Sequence, residues 1–210
     1  MSAARAVACL GALVGAFGLV LQYVLLFTDM TADGASALEA TWRYFAYFTI
    51  LTNTFVTFVM ARAALRPNDL SGPNAPTIEL MAVTSIVFVG IVYNLLLASR
   101  WDPQGWQKVA DVIVHDIIPI VFALFWLLRP HGALNWKDAG FAAIWPAAYA
   151  AYGLGRGAFD GFYPYYFIDP TRASFVAVAI NLLGLVVVFV IGALGFVALD
   201  RARGRRVAAQ

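Results

Sequence analysis

The stretch Asp111-Val-Ile-Val-His115-Asp116-Ile-Ile-Pro119 places three ionisable side chains inside an otherwise apolar run. Asp111 and His115 are four residues apart and share one face of a helix. Pro119 lies four beyond His115 and has no N–H to offer the His115 carbonyl. A helix through this stretch therefore carries its kink, a freed carbonyl and an imidazole at one level. In lipid, ionisable groups so placed are costly and mark a functional site by default. The remainder of the sequence places them in lipid.

Of 210 residues, 62% are hydrophobic and only 12% charged, and the mean hydropathy is +0.77. Soluble domains carry about 25% charged residues, so this chain belongs in a bilayer. The net charge of +2 gives no basis for nucleic-acid binding. The single cysteine, Cys9, excludes an intrachain disulfide, and no Cys/His pattern has metal-ligand spacing; neither metal nor cofactor is expected.

The expected architecture is all-α: one domain over 1–210, a bundle of six transmembrane helices. The spans cover about 5–27, 42–65, 77–99, 107–128, 138–155 and 174–199. Ala35-Ser36-Ala37 has the form of a signal-cleavage site, but a signal core is about 7–15 apolar residues. The first run has no charge between Ala6 and Phe27 and is long enough to cross a bilayer. The run from Arg66 to Pro76 is turn-forming, and Arg129-Pro130-His131-Gly132 ends the fourth span, with His131 expected in solvent. The span over 138–155 is the weakest, with Trp145-Pro146 inside it.

Lys and Arg counted by side set the orientation. One side holds Arg5, Arg62, Arg66, Arg129, Lys137, Arg201, Arg203, Arg205 and Arg206, which is nine. The other holds Arg43, Arg100, Lys108, Arg156 and Arg172, which is five. Both termini are therefore expected in the cytoplasm, with the chain in the inner membrane.

Depth follows from direction, since a helix rises about 1.5 Å per residue. Thr49 lies roughly 10 Å below the outer face, with Thr52 and Asn53 a turn deeper. His115 lies roughly 12 Å below Gln107, and Asp111 is shallower. Tyr93 and Asn94, Gln22, Asn181, Tyr149 and Tyr152 fall in the same outer third, whereas the inner half is nearly all apolar. A polar pocket near the outer leaflet is the consequence, because such side chains turn to the bundle axis for partners. Each Asn, Gln and Thr also has a plainer reading as interhelical glue. Asp116 points about 100° away from His115 and is expected to serve another partner or a neighbouring helix.

A hydroxyl beside an imidazole that a carboxylate orients is the recipe for an activated nucleophile. Thr49 is the best-placed hydroxyl, with Thr52 its alternative; His115 is the base and Asp111 its helical neighbour. Asn53, Asn94 or Asn181 would donate to a developing oxyanion.

The run Tyr44-Phe-Ala-Tyr-Phe-Thr49-Ile-Leu-Thr-Asn53 resembles the signature of the bacterial Pr6Pr membrane proteins. His115-Asp-Ile-Ile-Pro119 and Phe162-Tyr163-Pro164-Tyr165-Tyr166-Phe167 strengthen the likeness. Those proteins are in turn similar to the eukaryotic FAR-17a and androgen-induced-gene proteins. The eukaryotic group includes multipass threonine hydrolases of fatty-acid esters of hydroxy fatty acids. The resemblance implies that Thr49 and His115 take the threonine and histidine roles, on a membrane lipid or fatty-acyl ester. A non-enzymatic lipid-binding or scaffold protein and a small proton-coupled transporter are the competing functions.

Overall fold

The computed structural model describes residues 1–208, and every regular element among them is helical. Helix α1 spans Ala3–Ala32, and the Ser2 hydroxyl caps it by accepting the Arg5 N–H at 3.3 Å. Its buried positions are Ala8, Gly11, Gly15 and Gly18. A Cβ on Gly11 would strike Met60, one on Gly15 would strike Thr57, and one on Gly18 would strike Ile113. Lipid supplies no hydrophobic drive between helices, so close approach across small residues holds α1 in place.

The expected second span is two helices, α2 (Ala37–Tyr44) and α3 (Phe48–Leu65). Ser36 opens α2 in a capping box with Glu39. Tyr47 is extended (φ −89°, ψ 132°), so α3 begins afresh just before Thr49. The carbonyls freed at this break are met from elsewhere: Tyr152 donates to Phe45 O (3.0 Å) and Tyr149 to Ala46 O (2.9 Å).

Helix α4 (Pro76–Val92) continues through a π-helical turn, Tyr93–Leu97, and a short 3₁₀ turn, Ala98–Arg100. Helices α5 (Gly105–Val112) and α6 (Ile118–Leu127) form one rod joined by a second π turn, Ile113–Ile117. In that turn the Ile118 N–H reaches back to Ile113 O, and Pro119 has no N–H to give. The Val114 carbonyl is left over, and Asn53 Nδ2 caps it at 3.0 Å. Gly90 of α4 lies against the same place, where a Cβ would be 3.0 Å from His115 O and 3.3 Å from Pro119 Cβ.

The expected span over 138–155 is also two helices, α7 (Asp138–Ala142) and α8 (Ile144–Asp160). Pro146 lies in the first turn of α8, where its missing N–H is tolerated. Helix α9 (Phe175–Ala208) is the longest. Five rods are long and apolar enough to cross a membrane: Ala3–Ala32, Phe48–Leu65, Pro76–Arg100, Gly105–Leu127 and Phe175–Arg206. Their outward faces are apolar, with Leu13 71% and Ile120 69% exposed, which gives the chain multi-pass membrane character.

The start of α1 and the last turns of α9 around Arg203 lie at one end of the bundle. Arg5 Nε donates to Ala64 O (2.9 Å), and Arg203 Nη2 donates to Leu127 O (3.0 Å). A buried polar cluster occupies this end. Arg129 Nε donates to both Glu79 oxygens, at 2.9 and 3.2 Å, and its Nη1 to Pro67 O at 3.1 Å. His131, expected in solvent, instead pairs through Nδ1 with Asp200 Oδ1 at 3.0 Å, its side chain 6% exposed. The Asp200 carboxylate also accepts the Leu134 N–H, so α9 and the 128–137 connection bury one another. The opposite end holds the α1–α2, 101–104 and 161–174 connections, and the residues around Thr49 and His115.

Candidate functional site

Thr49 is the second residue of α3, so the break at Tyr47 brings its hydroxyl to a helix N-terminus whose cap makes no side-chain hydrogen bond. Its Oγ1 lies 3.4 Å from His115 Nε2. His115 Nδ1 faces Asp111, 3.1 Å from Oδ1 and 3.0 Å from the main-chain oxygen. Two acceptors on that side hold the proton on Nδ1 and leave the Nε2 lone pair toward Thr49.

Asp111 is 4% exposed, and its second oxygen accepts the Tyr93 hydroxyl at 2.7 Å. The Tyr93 ring also stacks on the imidazole, with centroids 3.6 Å apart and planes 8° off parallel. One side chain thus clamps both the carboxylate and the ring that the carboxylate orients. Tyr93 and His115 both belong to π turns, and local π bulges recur at functional sites because the extra residue re-aims a side chain.

A fourth group comes from the 161–174 connection. The Tyr165 hydroxyl accepts the Thr49 N–H at 3.4 Å, and Tyr165 is 8% exposed. Burial pushes its phenol up to about 12, so it stays protonated near neutrality.

Two cavities meet here. The larger, about 400 Å³, has Gln22, Asp29, Arg100, Trp101 and Gln107 among its walls, and reaches Thr49, Asp111 and His115. The smaller, about 100 Å³, is walled by α4, α8 and α9 and is almost wholly apolar. Thr49, Tyr93, Leu97 and Tyr165 border both.

Thr49, His115, Asp111 and Tyr93 are therefore in direct contact. Gln22 lines the larger cavity and accepts from Gln107 Nε2 at 3.1 Å. Asn53 lies beneath the site, with Nδ2 committed to Thr49 O (2.9 Å) and Val114 O. The Thr52 hydroxyl faces away and accepts the Trp145 indole N–H at 3.0 Å. Asn94 donates to Asp116 Oδ1 (2.8 Å) and Gly90 O (3.0 Å), which ties α4 to the second π turn. Asn181 donates to Phe167 O (3.0 Å). Tyr149 walls the apolar chamber, and Tyr152 lies outside both cavities. Tyr165 and Arg100 were not singled out from sequence as site residues; Tyr165 appears there only within an aromatic run. No family model, curated protein or solved structure matches this chain.

Proposed function

We propose that the chain is an intramembrane hydrolase of a lipid or fatty-acid ester, with Thr49 as nucleophile and His115 as base. The observation that carries this reading is the approach of Thr49 Oγ1 to the free face of an imidazole whose other nitrogen is held by a buried carboxylate. Thr49 Oγ attacks the ester carbonyl carbon while Nε2 takes its proton. The new C–O bond forms, the alkoxy C–O bond breaks, and the proton passes from Nε2 to the departing alcohol. Water, deprotonated by the same nitrogen, then releases the acid and restores Thr49. The Tyr165 phenol donates to the developing oxyanion beside the α3 N-terminus.

The same reading takes α7 and α8 as a sixth crossing, with both termini cytoplasmic in the inner membrane and the site near the outer leaflet. The nine-to-five division of Lys and Arg supports it. So does the resemblance of Tyr44–Asn53 to the Pr6Pr signature, which implies the same two roles for Thr49 and His115. Transport is the weaker reading, because Ile118, Phe122 and Phe125, each 0% exposed, fill the bundle below the site.

The test is labelling of the purified protein by a fluorophosphonate, together with turnover of fatty-acid esters. Both are expected in the native chain, to be lost in Thr49→Ala and His115→Ala and kept in Thr52→Ala. Labelling that survives Thr49→Ala but not Thr52→Ala moves the nucleophile one turn along α3. No labelling and no turnover, with only thermal stability altered by Thr49→Ala and His115→Ala, leaves a lipid-binding protein.

A further inference from the structure

The apolar chamber meets the site at Thr49, Tyr93 and Tyr165. Its walls are Phe88, Val89 and Val92 of α4, Pro146 and Ala150 of α8, and Leu182, Val186 and Phe189 of α9, which recur at helical spacing, with Val186 at 38% exposure on the chamber's rim. Two of the hydroxyls that reach it are already committed. Tyr149 donates to Ala46 O, and Tyr93 to Asp111. Its polar contacts therefore concentrate where Thr49 and Tyr165 form the partition with the larger cavity. An apolar cavity of this kind stays dry and takes apolar guests. Leu183 and Val187, the next residues along α9, are 65% and 49% exposed, so hydrocarbon lies just across that helix.

We propose that this chamber seats the acyl chain of the ester, with the carbonyl carbon at Thr49 and the alcohol portion in the 400 Å³ cavity. The proposal rests on the hydrolase reading for its orientation, but occupancy of the chamber is separable from catalysis. An acyl chain suits a chamber walled by α4, α8 and α9 whose uncommitted polar groups are those of Thr49 and Tyr165. A headgroup placed there would leave its hydrogen-bonding groups unpaired, at a cost that excludes it.

The experiment uses the full chain in lipid nanodiscs and palmitic acid carrying a mid-chain diazirine, with adducts mapped by peptide mass spectrometry. Adducts are expected on Val89 or Val92 and on Leu182, Val186 or Phe189. Leu182→Trp, which fills the chamber, is expected to reduce them roughly tenfold, the loss that follows when about two methylenes are kept out of an apolar site. Leu183→Trp, on the outward face, is expected to label like the native chain. Adducts confined to Leu183 and Val187, adducts on Gln22 or Trp101 instead, or full labelling of Leu182→Trp each overturn the proposal. Labelling needs no turnover. A labelled but inert protein keeps the acyl seat and removes the hydrolase, while an active protein with an unlabelled chamber does the reverse.

Discussion

Tyr93 carries more of the site's geometry than its place in an apolar helix indicates. Its hydroxyl holds one oxygen of Asp111 while its ring lies flat on His115, so the imidazole has three contacts from two residues: the Tyr93 ring and the carboxylate and main-chain oxygens of Asp111. On the proposed mechanism, Asp111→Asn removes the anion that would steady the imidazolium and invites the wrong tautomer. Ester turnover is expected to fall by about 10²–10⁴-fold with the fold intact, read as kcat beside a circular-dichroism melt. Tyr165→Phe removes the proposed oxyanion donor and is expected to lower kcat by about 10²–10³-fold. It also leaves the Thr49 N–H without its partner, so a smaller loss of melting temperature accompanies it. The pairing of Asp111 with His115 was legible in the sequence from a four-residue interval on one helix. The contact of Thr49 with His115 was legible only as agreement in depth. Tyr165 was not legible as a site residue, because a residue in a connecting segment has neither periodicity nor depth to place it.

Among the elements, the rod Gly105–Leu127 shows how a sequence feature becomes geometry. Pro119 removes a donor, the π turn forms, and Asn53 takes up the carbonyl that remains. Pro119→Ala restores the N–H and lets the turn relax to an ordinary helix, rotating His115 by about 100° relative to α6. Turnover is expected to fall about 10²-fold or more while the melting temperature holds or rises, since catalysis depends on position and stability does not. The Tyr93–Leu97 turn carries no proline and left no trace in the sequence. Nor did the break at 45–47, where no glycine or proline interrupts the run Tyr44-Phe-Ala-Tyr-Phe. Its carbonyls are satisfied by tyrosines that arrive a hundred residues later, from α8. The connection after α3 has its own pH signature. Hydrogen bonds from the Ser71 hydroxyl and amide, with Arg62 beside them, hold the Asp69 carboxyl below its ordinary value. Its contribution is complete above the unfolded carboxylate pKa of about 4 and is lost as pH falls through the lowered folded value. Amide protection factors across 66–75, corrected for the intrinsic exchange rate at each pH, are expected to fall below about pH 4 before those of the membrane rods.

For the whole molecule, composition was enough to give an all-helical chain with lipid-facing rods, because hydrocarbon admits few other backbones. The polar cluster at the Arg5 and Arg203 end was hidden, since Glu79, the Arg129–His131 segment and Asp200 lie far apart in sequence. Arg129→Ala strands Glu79, 3% exposed, and is expected to cost about 3–5 kcal/mol, seen as a large fall in melting temperature. Replacing both partners by leucine is expected to restore most of it, because the burden is the uncompensated charge. The wall of Thr49, Tyr93 and Tyr165 that borders both cavities has a consequence for how products leave. On the proposed reading, an ester cut at that partition would leave its acyl chain in the apolar chamber and its alcohol in the larger cavity. Under the proposed function the two fragments leave from opposite sides of that wall, so each product clears the site without passing the other.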